Sequence, residues 1–439
     1  MKIFLGVSEI KYAVWLFVLF YQAAAFSQQS SQWGELTHRF LADSPAWAAA
    51  QAKYNAEKEE AKKALTHFIP SVELQLGMQD KEYSALFGGY SSLFPSTTYS
   101  AAFTAKQTLF AGGRIWKGYE LKQVSAEYEK HNLKVSKNNL VSGFLRKVFA
   151  YLSARDTLQV LQASAKTQRQ YVEVTTKKQK RGAALDFELS QAQADEVSYE
   201  SRLIEAKRGL ESALRNLNSE LPSATSAELD LLKWPKVHQR PPETLAVWLT
   251  RATQNQPDYL AARTQLEMAE LNESMTMGEH WPSVQVSASL GYESGQTDTL
   301  FDESSQTKTV TVGLQVPLFS GLSSLNDRRA SGERVFAAKK AVEQSRRTLD
   351  VNLQDAYDAV VRSQSVLDKA KEAARLSTLA YDQAFASFQT GRVRSQEIVA
   401  LQGARERAEL SFIKAREGHH MAFVNWQVVT GEDLESNLK

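Results

Sequence analysis

The sequence predicts a mainly helical chain with a small β part, in which one long architectural unit occurs twice. Three observations carry this reading. Gly and Pro are sparse, 21 and 10 of 439 residues, while Ala, Gln, Glu, Lys, Arg and Ser run in long unbroken stretches. That is the composition of long helices. Next, marks recur at one fixed offset: Thr108-Leu109-Phe110-Ala111-Gly112 returns as Pro317-Leu318-Phe319-Ser320-Gly321, a shift of 209 (318 − 109). The same shift carries Gly182–Gln193 onto Gly391–Gln402 and still holds at Leu214/Phe423 and Leu217/Trp426. Finally, each copy contains two short runs of strict apolar–polar alternation, the period of a half-buried strand. Equal spacing without insertion requires regular, length-critical structure between the marks, in a unit too long for a short-repeat solenoid.

Taken in chain order, residues 1–25 read as a secretory signal peptide. Lys2 and Lys11 precede the apolar run Ala13–Tyr21, and Ala23-Ala24-Ala25 offers an A-x-A cleavage site. The run is too short to cross a bilayer, which favours processing over anchoring; Glu9 is untypical of a basic leader. With no cysteine, disulfides, thiolate metal sites, thiol nucleophiles and a lipobox are excluded. The net charge of +2 is spread along the chain without a basic block, which gives nucleic-acid binding little support.

The first repeat occupies 26–219 and the second 243–439. Each opens with a helix broken at a proline, at Asp43-Ser44-Pro45 and at Gln256-Pro257-Asp258. Each meets a second proline 25 residues later, at Pro70 (70 − 45) and Pro282 (282 − 257). Proline ends a helix because it lacks the amide donor and restricts its predecessor. Alternation starts at once. Val72, Leu74, Leu76 and Met78 oppose Glu73, Gln75 and Gly77, and Val284, Val286, Ala288, Leu290 and Tyr292 oppose Gln285, Ser287, Ser289 and Gly291. The returning strands repeat the pattern at Tyr99–Lys106 and Thr309–Val316, which gives β-hairpins at about 70–110 and about 282–319 with polar loops at 80–97 and 294–306. Such runs fit tilted strands crossing a bilayer beside a wet lumen; for a single hairpin, an amphipathic sheet on a soluble core fits as well.

After Phe110 and Phe319 the period becomes helical. Leu140, Phe144, Val148, Tyr151, Leu158, Leu161 and Ala165 form a seam at 3/4 spacing. Leu349, Leu353, Ala356, Val360, Leu367, Ala370, Ala374, Tyr381 and Ala384 do the same in the second copy, with Ser363 and Ser377 filling two positions. This is a coiled-coil-like pattern. A mostly helical path of 72 residues (182 − 110, and 391 − 319) reaches roughly 100 Å. Each helix turns at a glycine tip, Gly182 or Gly391, and returns. The proline-containing segment 220–242 links the repeats.

Four amphipathic strands cannot close a barrel. Open edges in lipid would leave backbone groups unpaired at several kcal/mol each. A membrane protein of this design must oligomerise, and three copies would supply twelve strands, whereas the eight from two copies would fill with side chains.

The doubled helix broken at Ser44-Pro45 and Gln256-Pro257, the doubled strand start (Pro70-Ser71-Val72, Pro282-Ser283-Val284), the doubled Leu-Phe-x-Gly and the doubled tip pattern Gly-x-x-x-x-x-Glu-x-x-x-x-Gln together resemble the TolC-type outer-membrane efflux and secretion channel family over residues 33–431. No one motif is specific; their order, doubling and spacing are. The resemblance implies a trimeric α-barrel continuous with a 12-stranded transmembrane β-barrel, in the cell outer membrane with a long periplasmic extension. It also implies a periplasmic adaptor and an inner-membrane transporter as partners. The function it implies is a passive exit duct of a tripartite efflux pump or type I secretion system, gated at its periplasmic tip. The alternative from another class is a secreted or periplasmic coiled-coil scaffold without a pore.

No catalytic motif, cofactor loop or metal-ligand spacing emerges. The adjacent His419 and His420 would point about 100° apart on a helix, unlike a ligand pair. At the tips, the resemblance places acidic mouth-narrowing positions at Glu397 and, in the first copy, Glu188; the position one turn after Glu397 is Ala400, a departure. Arg392 and Arg394 flank the family's basic position, here Val393. Glu188, Glu397, Arg392 and Arg394 are therefore candidate gate and selectivity residues, against the plainer reading of exposed helical side chains. Gly182, Ala183 and Gly391 are candidates for adaptor docking. The run Lys177-Lys178-Gln179-Lys180-Arg181 is either a solvated face or part of that docking surface. Trp33, Trp47, Trp116, Trp281, Phe110 and Phe319 are either an interfacial girdle or helix packing.

Overall fold

The computed structural model describes residues 32–81, 97–223, 225–236, 243–319, 321–390 and 392–434. The signal segment, most of the 80–97 loop and Gly391 lie outside the described residues. The first helix, α1 (32–43), stops at Ser44, and α2 (Pro45–Ala64) follows through a short 3-10 turn, Leu65–Phe68, into strand β1 (Ser71–Asp80). Strand β2 (Thr97–Ala111) leads into α3 (Arg114–Lys180) and its return α4 (Asp186–Asn218). A short α5 (Ser226–Asp230) sits in the linker. The second copy repeats the order as α6 (Leu245–Asn255), α7 (Pro257–Gly278), β3 (Ser283–Ser294), β4 (Gln306–Gln315), α8 (Ser323–Gln389) and α9 (Ser395–Thr430). Both long helices, α3 and α8, contain 67 residues, and the breaks at Ser44 and Gln256 stand where the prolines placed them. Among the described residues, no helix is long and apolar enough to cross a membrane.

The chain forms two compact units, and each draws on both repeats. One holds the described residues of Gln51–Leu133 and Asp258–Ser345. Its centre is a single four-stranded antiparallel sheet in the order β1-β2-β3-β4. The two expected hairpins are joined by pairing of β2 with β3, for example Phe103 with Leu290 and Ala101 with Tyr292. One rung of the apolar face runs Val72, Ala105, Ala288, Val310, and the rung beside it on the polar face runs Glu73, Thr104, Ser289, Thr309. Thr104 and Ser289 hydroxyls lie 3.3 Å apart, and Lys106 pairs with Glu73 at 3.6 Å. A bulge between Thr108 and Phe110 interrupts the alternation of β2 and sets Phe110 opposite Val284; an extra residue of this kind re-aims the strand end.

The apolar face is uncovered. Val72, Leu76, Met78, Val310, Val312 and Leu314 are each 67–75 % exposed. A sheet seated on a soluble core would bury such a face, and so wide an apolar patch marks an interaction surface. The doubled Leu-Phe-x-Gly ends in glycines of positive φ, Gly112 at 61° and Gly321 at 69°, the left-handed region that glycine adopts without strain. At Gly112 space is also short: a Cβ would stand 2.2 Å from the Gly278 carbonyl oxygen at the end of α7.

The other unit holds the described residues of Met1–Ala50, Lys134–Pro257 and Arg346–Lys439. Its main core is aromatic and aliphatic, from Trp33, Phe40, Phe144, Val148, Phe149 and Leu152 to Leu217 and Val424. Phe40 stacks on Phe144 at 4.3 Å. The linker is part of this core: Leu221, Leu229 and Leu232 are buried, the Tyr151 hydroxyl donates to Asp230 at 2.8 Å, and Trp234 donates to Asp156 at 2.9 Å. The aromatic question divides. Trp33 and Trp47 pack in the helical core, whereas Trp116, Trp281, Phe110 and Phe319 are exposed near the strand ends.

Candidate functional site at the helical tips

The tips belong to the second of these units. Helix α3 ends with the Gly182 amide bonded to the Gln179 carbonyl at 2.9 Å and the Ala183 amide bonded to the Lys178 carbonyl at 2.8 Å. With Gly182 at φ 69°, this is a Schellman ending, which needs a left-handed residue after the last helical turn. The second tip repeats the long bond, Arg392 amide to Ser387 carbonyl at 3.0 Å. Both partners stand 209 residues after Ala183 and Lys178 (392 − 183, 387 − 178), so the duplication holds to the level of single hydrogen bonds.

The return helices start alike. Leu185 and Arg394 are extended N-caps, and Glu188 and Glu397 occupy the third helical position in each. A carboxylate there meets the positive end of the helix dipole. Glu188 uses the position fully: its side chain accepts from the Leu185 amide at 3.0 Å, one half of a capping box. Glu397 is exposed, and among the described residues its carboxylate has no hydrogen-bond or ion-pair partner. Arg392 and Arg394 are exposed too, and among the described residues neither meets a carboxylate. Ala183 is exposed beside the turn.

Beneath the turns lies a small core of Tyr171, Ala192, Tyr381, Phe388 and Ile398, which brings α3, α4, α8 and α9 together. Lys178 departs from the expected solvated run. Its ammonium sits 3.5 Å over the Phe388 ring and donates to the Phe388 carbonyl at 2.7 Å. Burial lowers its pKa, and Glu188 partly offsets this. Lys177, Lys180 and Arg181 remain exposed.

Further along the same helices a buried polar cluster joins α4 to α9. Arg202 bonds Glu406, whose side chain is only 4 % exposed. Burial, then the Glu406 charge, pushes the Tyr199 hydroxyl up to about 12, and burial pushes Tyr381 to about 12. Gln402 donates to the Ser164 carbonyl at 3.4 Å, and Gln168 to the Ala192 carbonyl at 2.9 Å. Neither Arg202 nor Glu406 was singled out from sequence, and Lys178 entered only as one member of the basic run. The 209-residue shift pairs Arg202 with Ser411 and Glu406 with Val197, so a search for doubled residues passes over them. The adjacent histidines are packing residues: His419 Nδ1 lies 2.9 Å from the Ser363 hydroxyl, and His420 stacks on Trp234. Among the described residues no group of three or more His, Cys, Asp or Glu is arranged to hold a metal.

The doubled helical hairpins, each with a 67-residue first helix, and the open sheet agree with the comparison that decides the family. A model of the outer membrane efflux protein family matches residues 36–221 and 248–431, once per repeat. The chain belongs to the outer membrane efflux protein family. Its fold is that of solved family members at low sequence identity. The outer membrane protein VceC of Vibrio cholerae is 15% identical, with a TM-score of 0.77 over 92% of this chain and 96% of that one. The Campylobacter jejuni CmeC outer membrane channel is 15% identical, with a TM-score of 0.79 over 92% of this chain and 88% of that one. In sequence, the chain is 23% identical to the outer membrane protein TolC of Vibrio cholerae over 84% of this chain and 85% of that protein. It is 22% identical to the alkaline protease secretion protein AprF of Pseudomonas aeruginosa over 54% of this chain, a match spanning half of AprF. This outer membrane efflux protein is thus a TolC-type outer-membrane component with a helical extension.

Proposed function

We propose that three copies of the chain close their sheets into one twelve-stranded transmembrane β-barrel, continued by an α-barrel into the periplasm, and that the assembly is a passive exit duct. The observation that carries this is the sheet itself. Its outer strands β1 and β4 each pair on one side only within the described chain, and its apolar face is uncovered. Unpaired edges in lipid cost several kcal/mol per group and are abolished only by closure. A coiled-coil scaffold without a pore has no use for these strands. The duct does no chemistry; energy comes from an inner-membrane transporter coupled through a periplasmic adaptor, and the likeness to AprF, an alkaline protease secretion protein, supports type I secretion beside efflux as the service performed.

The adaptor docks at the tips, beside Gly182, Ala183 and Gly391. The gate is built at the same end, where Glu397 of the three subunits converges and Arg392 or Arg394 pairs with Glu188 of a neighbouring helix pair. In support, both arginines are exposed and meet no carboxylate among the described residues. The test is mass measurement in mild detergent followed by planar-bilayer recording: a trimer that conducts is expected, and a stable folded monomer would defeat the proposal. Cysteines at Ala183 and Arg392 should crosslink to an adaptor in cells; crosslinks arising only from the strand loops would place docking at the wrong end.

A further inference from the structure

The apolar face of β4 does not stop with the strand. Leu318 and Phe319 are 91 and 84 % exposed, and Leu322 and Leu325 carry exposed apolar surface onto the first turns of α8. One helical turn beyond Leu325, at the i+3 and i+4 positions that share its face, stand Arg328 and Arg329, both exposed. Among the described residues no carboxylate pairs with either. The neighbouring Asp327 lines a small cleft with Glu279, His280, Leu318 and Phe319, so it borders the same apolar surface without pairing with either arginine. The first repeat lacks this arrangement. The 209-residue shift places Tyr119 and Glu120 at these positions; Lys117 is held by Glu120 at 2.7 Å, and Arg114 Nε donates to the Ala111 carbonyl at 3.1 Å. Unpaired cations next to a lipid-continuous apolar surface therefore occur in the second repeat and not in the corresponding place of the first.

We infer that Arg328 and Arg329 bind the headgroup of an anionic phospholipid at the periplasmic face of the outer membrane, with its acyl chains on Leu318, Phe319, Leu322 and Leu325. The argument for this occupant is continuity with the uncovered strand face and charge complementarity. A guanidinium matches a phosphate in geometry as well as charge. The inference rests on the reading of that strand face as lipid-facing. Each chain carries one such site.

The test uses the full chain reconstituted in phosphatidylcholine bilayers with trace spin-labelled phosphatidylglycerol or phosphatidylcholine, and electron paramagnetic resonance reads the fraction of each lipid immobilised on the protein. Wild type should select phosphatidylglycerol, and each arginine removed by Arg328→Gln and Arg329→Gln should cut that selectivity about fivefold at low salt. Lys117→Gln, whose partner is Glu120, should leave it unchanged. Unchanged selectivity in the double variant would overturn the assignment. So would loss of selectivity accompanied by loss of the assembled form on native gels, which would assign the arginines to a neighbouring subunit. Wild-type conductance in the same bilayers tests the duct separately, so failure of one reading is not mistaken for failure of the other.

Discussion

Acid should loosen the helical core through one histidine. His420 is 5 % exposed, with Trp234 5.1 Å from its ring centroid on one side and Phe149 at 5.3 Å. Burial, reinforced by His419 and Arg416, lowers its pKa from 6.5 to about 3. The folded chain therefore holds the ring neutral, while the unfolded chain protonates it near pH 6.5. Between those values the unfolded state binds more protons, so stability is fully present above pH 6.5 and is lost as pH falls toward 3. At 1.36 kcal/mol per unit the complete loss is about 5 kcal/mol, and about 2 kcal/mol of it has already gone at pH 5. His420→Phe keeps a ring against Trp234 and removes the proton. Urea unfolding followed by circular dichroism at pH 7.5 and pH 5 should show wild type losing about 2 kcal/mol more than the variant over that interval. Equal losses in the two proteins would refute the reasoning and move the acid sensitivity elsewhere.

Three further outcomes can be checked. Gly431 ends α9 at φ 76°, and a Cβ there would lie 2.6 Å from the Asn255 carbonyl group; Gly431→Ala should cost at least about 2 kcal/mol, read as a lower urea midpoint, and an unchanged midpoint would show that the contact relaxes freely. Arg202→Met leaves the Glu406 carboxylate buried without its counter-charge; with the arginine itself 41 % exposed, the cost should be about 1–2 kcal/mol, most of it regained in Arg202→Met/Glu406→Gln; absence of that recovery in the thermal midpoint would mean the arginine acts by packing alone. At the tip, Arg394→Ser should raise single-channel conductance and antibiotic leak, since an exposed ion pair is worth only about 1 kcal/mol, and yet that shifts a balanced gate several-fold. Glu397→Ala should chiefly weaken cation selectivity and divalent block. Recordings identical to wild type for both variants would remove these residues from the gate.

Much of the architecture was legible because it is periodic and written twice. The prolines gave the breaks at Ser44 and Gln256, the alternation gave four strands, and the seam gave Phe144, Val148, Leu353 and Val360 as core. The joining of the two hairpins into one sheet was not legible, because pairing of β2 with β3 is a contact between repeats that neither strand's own pattern encodes. The bulge near Leu109 was missed for a related reason: in sequence it reads as one more residue in an alternating run. Lys178 was hidden inside a basic run whose other members are exposed, and only the opposing Phe388, 210 residues away (388 − 178), distinguishes it. The turn of the first tip was legible because a left-handed residue demands glycine, and Gly182 stands there at φ 69°. Arg202 and Glu406 occur once each, so duplication carried no signal for them.

The two 67-residue helices set a rule for how this chain tolerates change. Deleting a single residue from α3 would rotate every later side chain by about 100° and draw it back 1.5 Å, so the Schellman bond at Gly182 and the counterpart bond at Arg392 would no longer stand at equal counts from the starts of α3 and α8. Substitution along the same helix changes only the residue replaced. The fold itself tolerates wide change of residue identity: VceC, 15% identical, shares it over 92% of this chain. For engineering, residue count becomes the design variable: a helix extended in α3 calls for the same extension in α8, and only paired insertions made in whole turns keep both seams in phase.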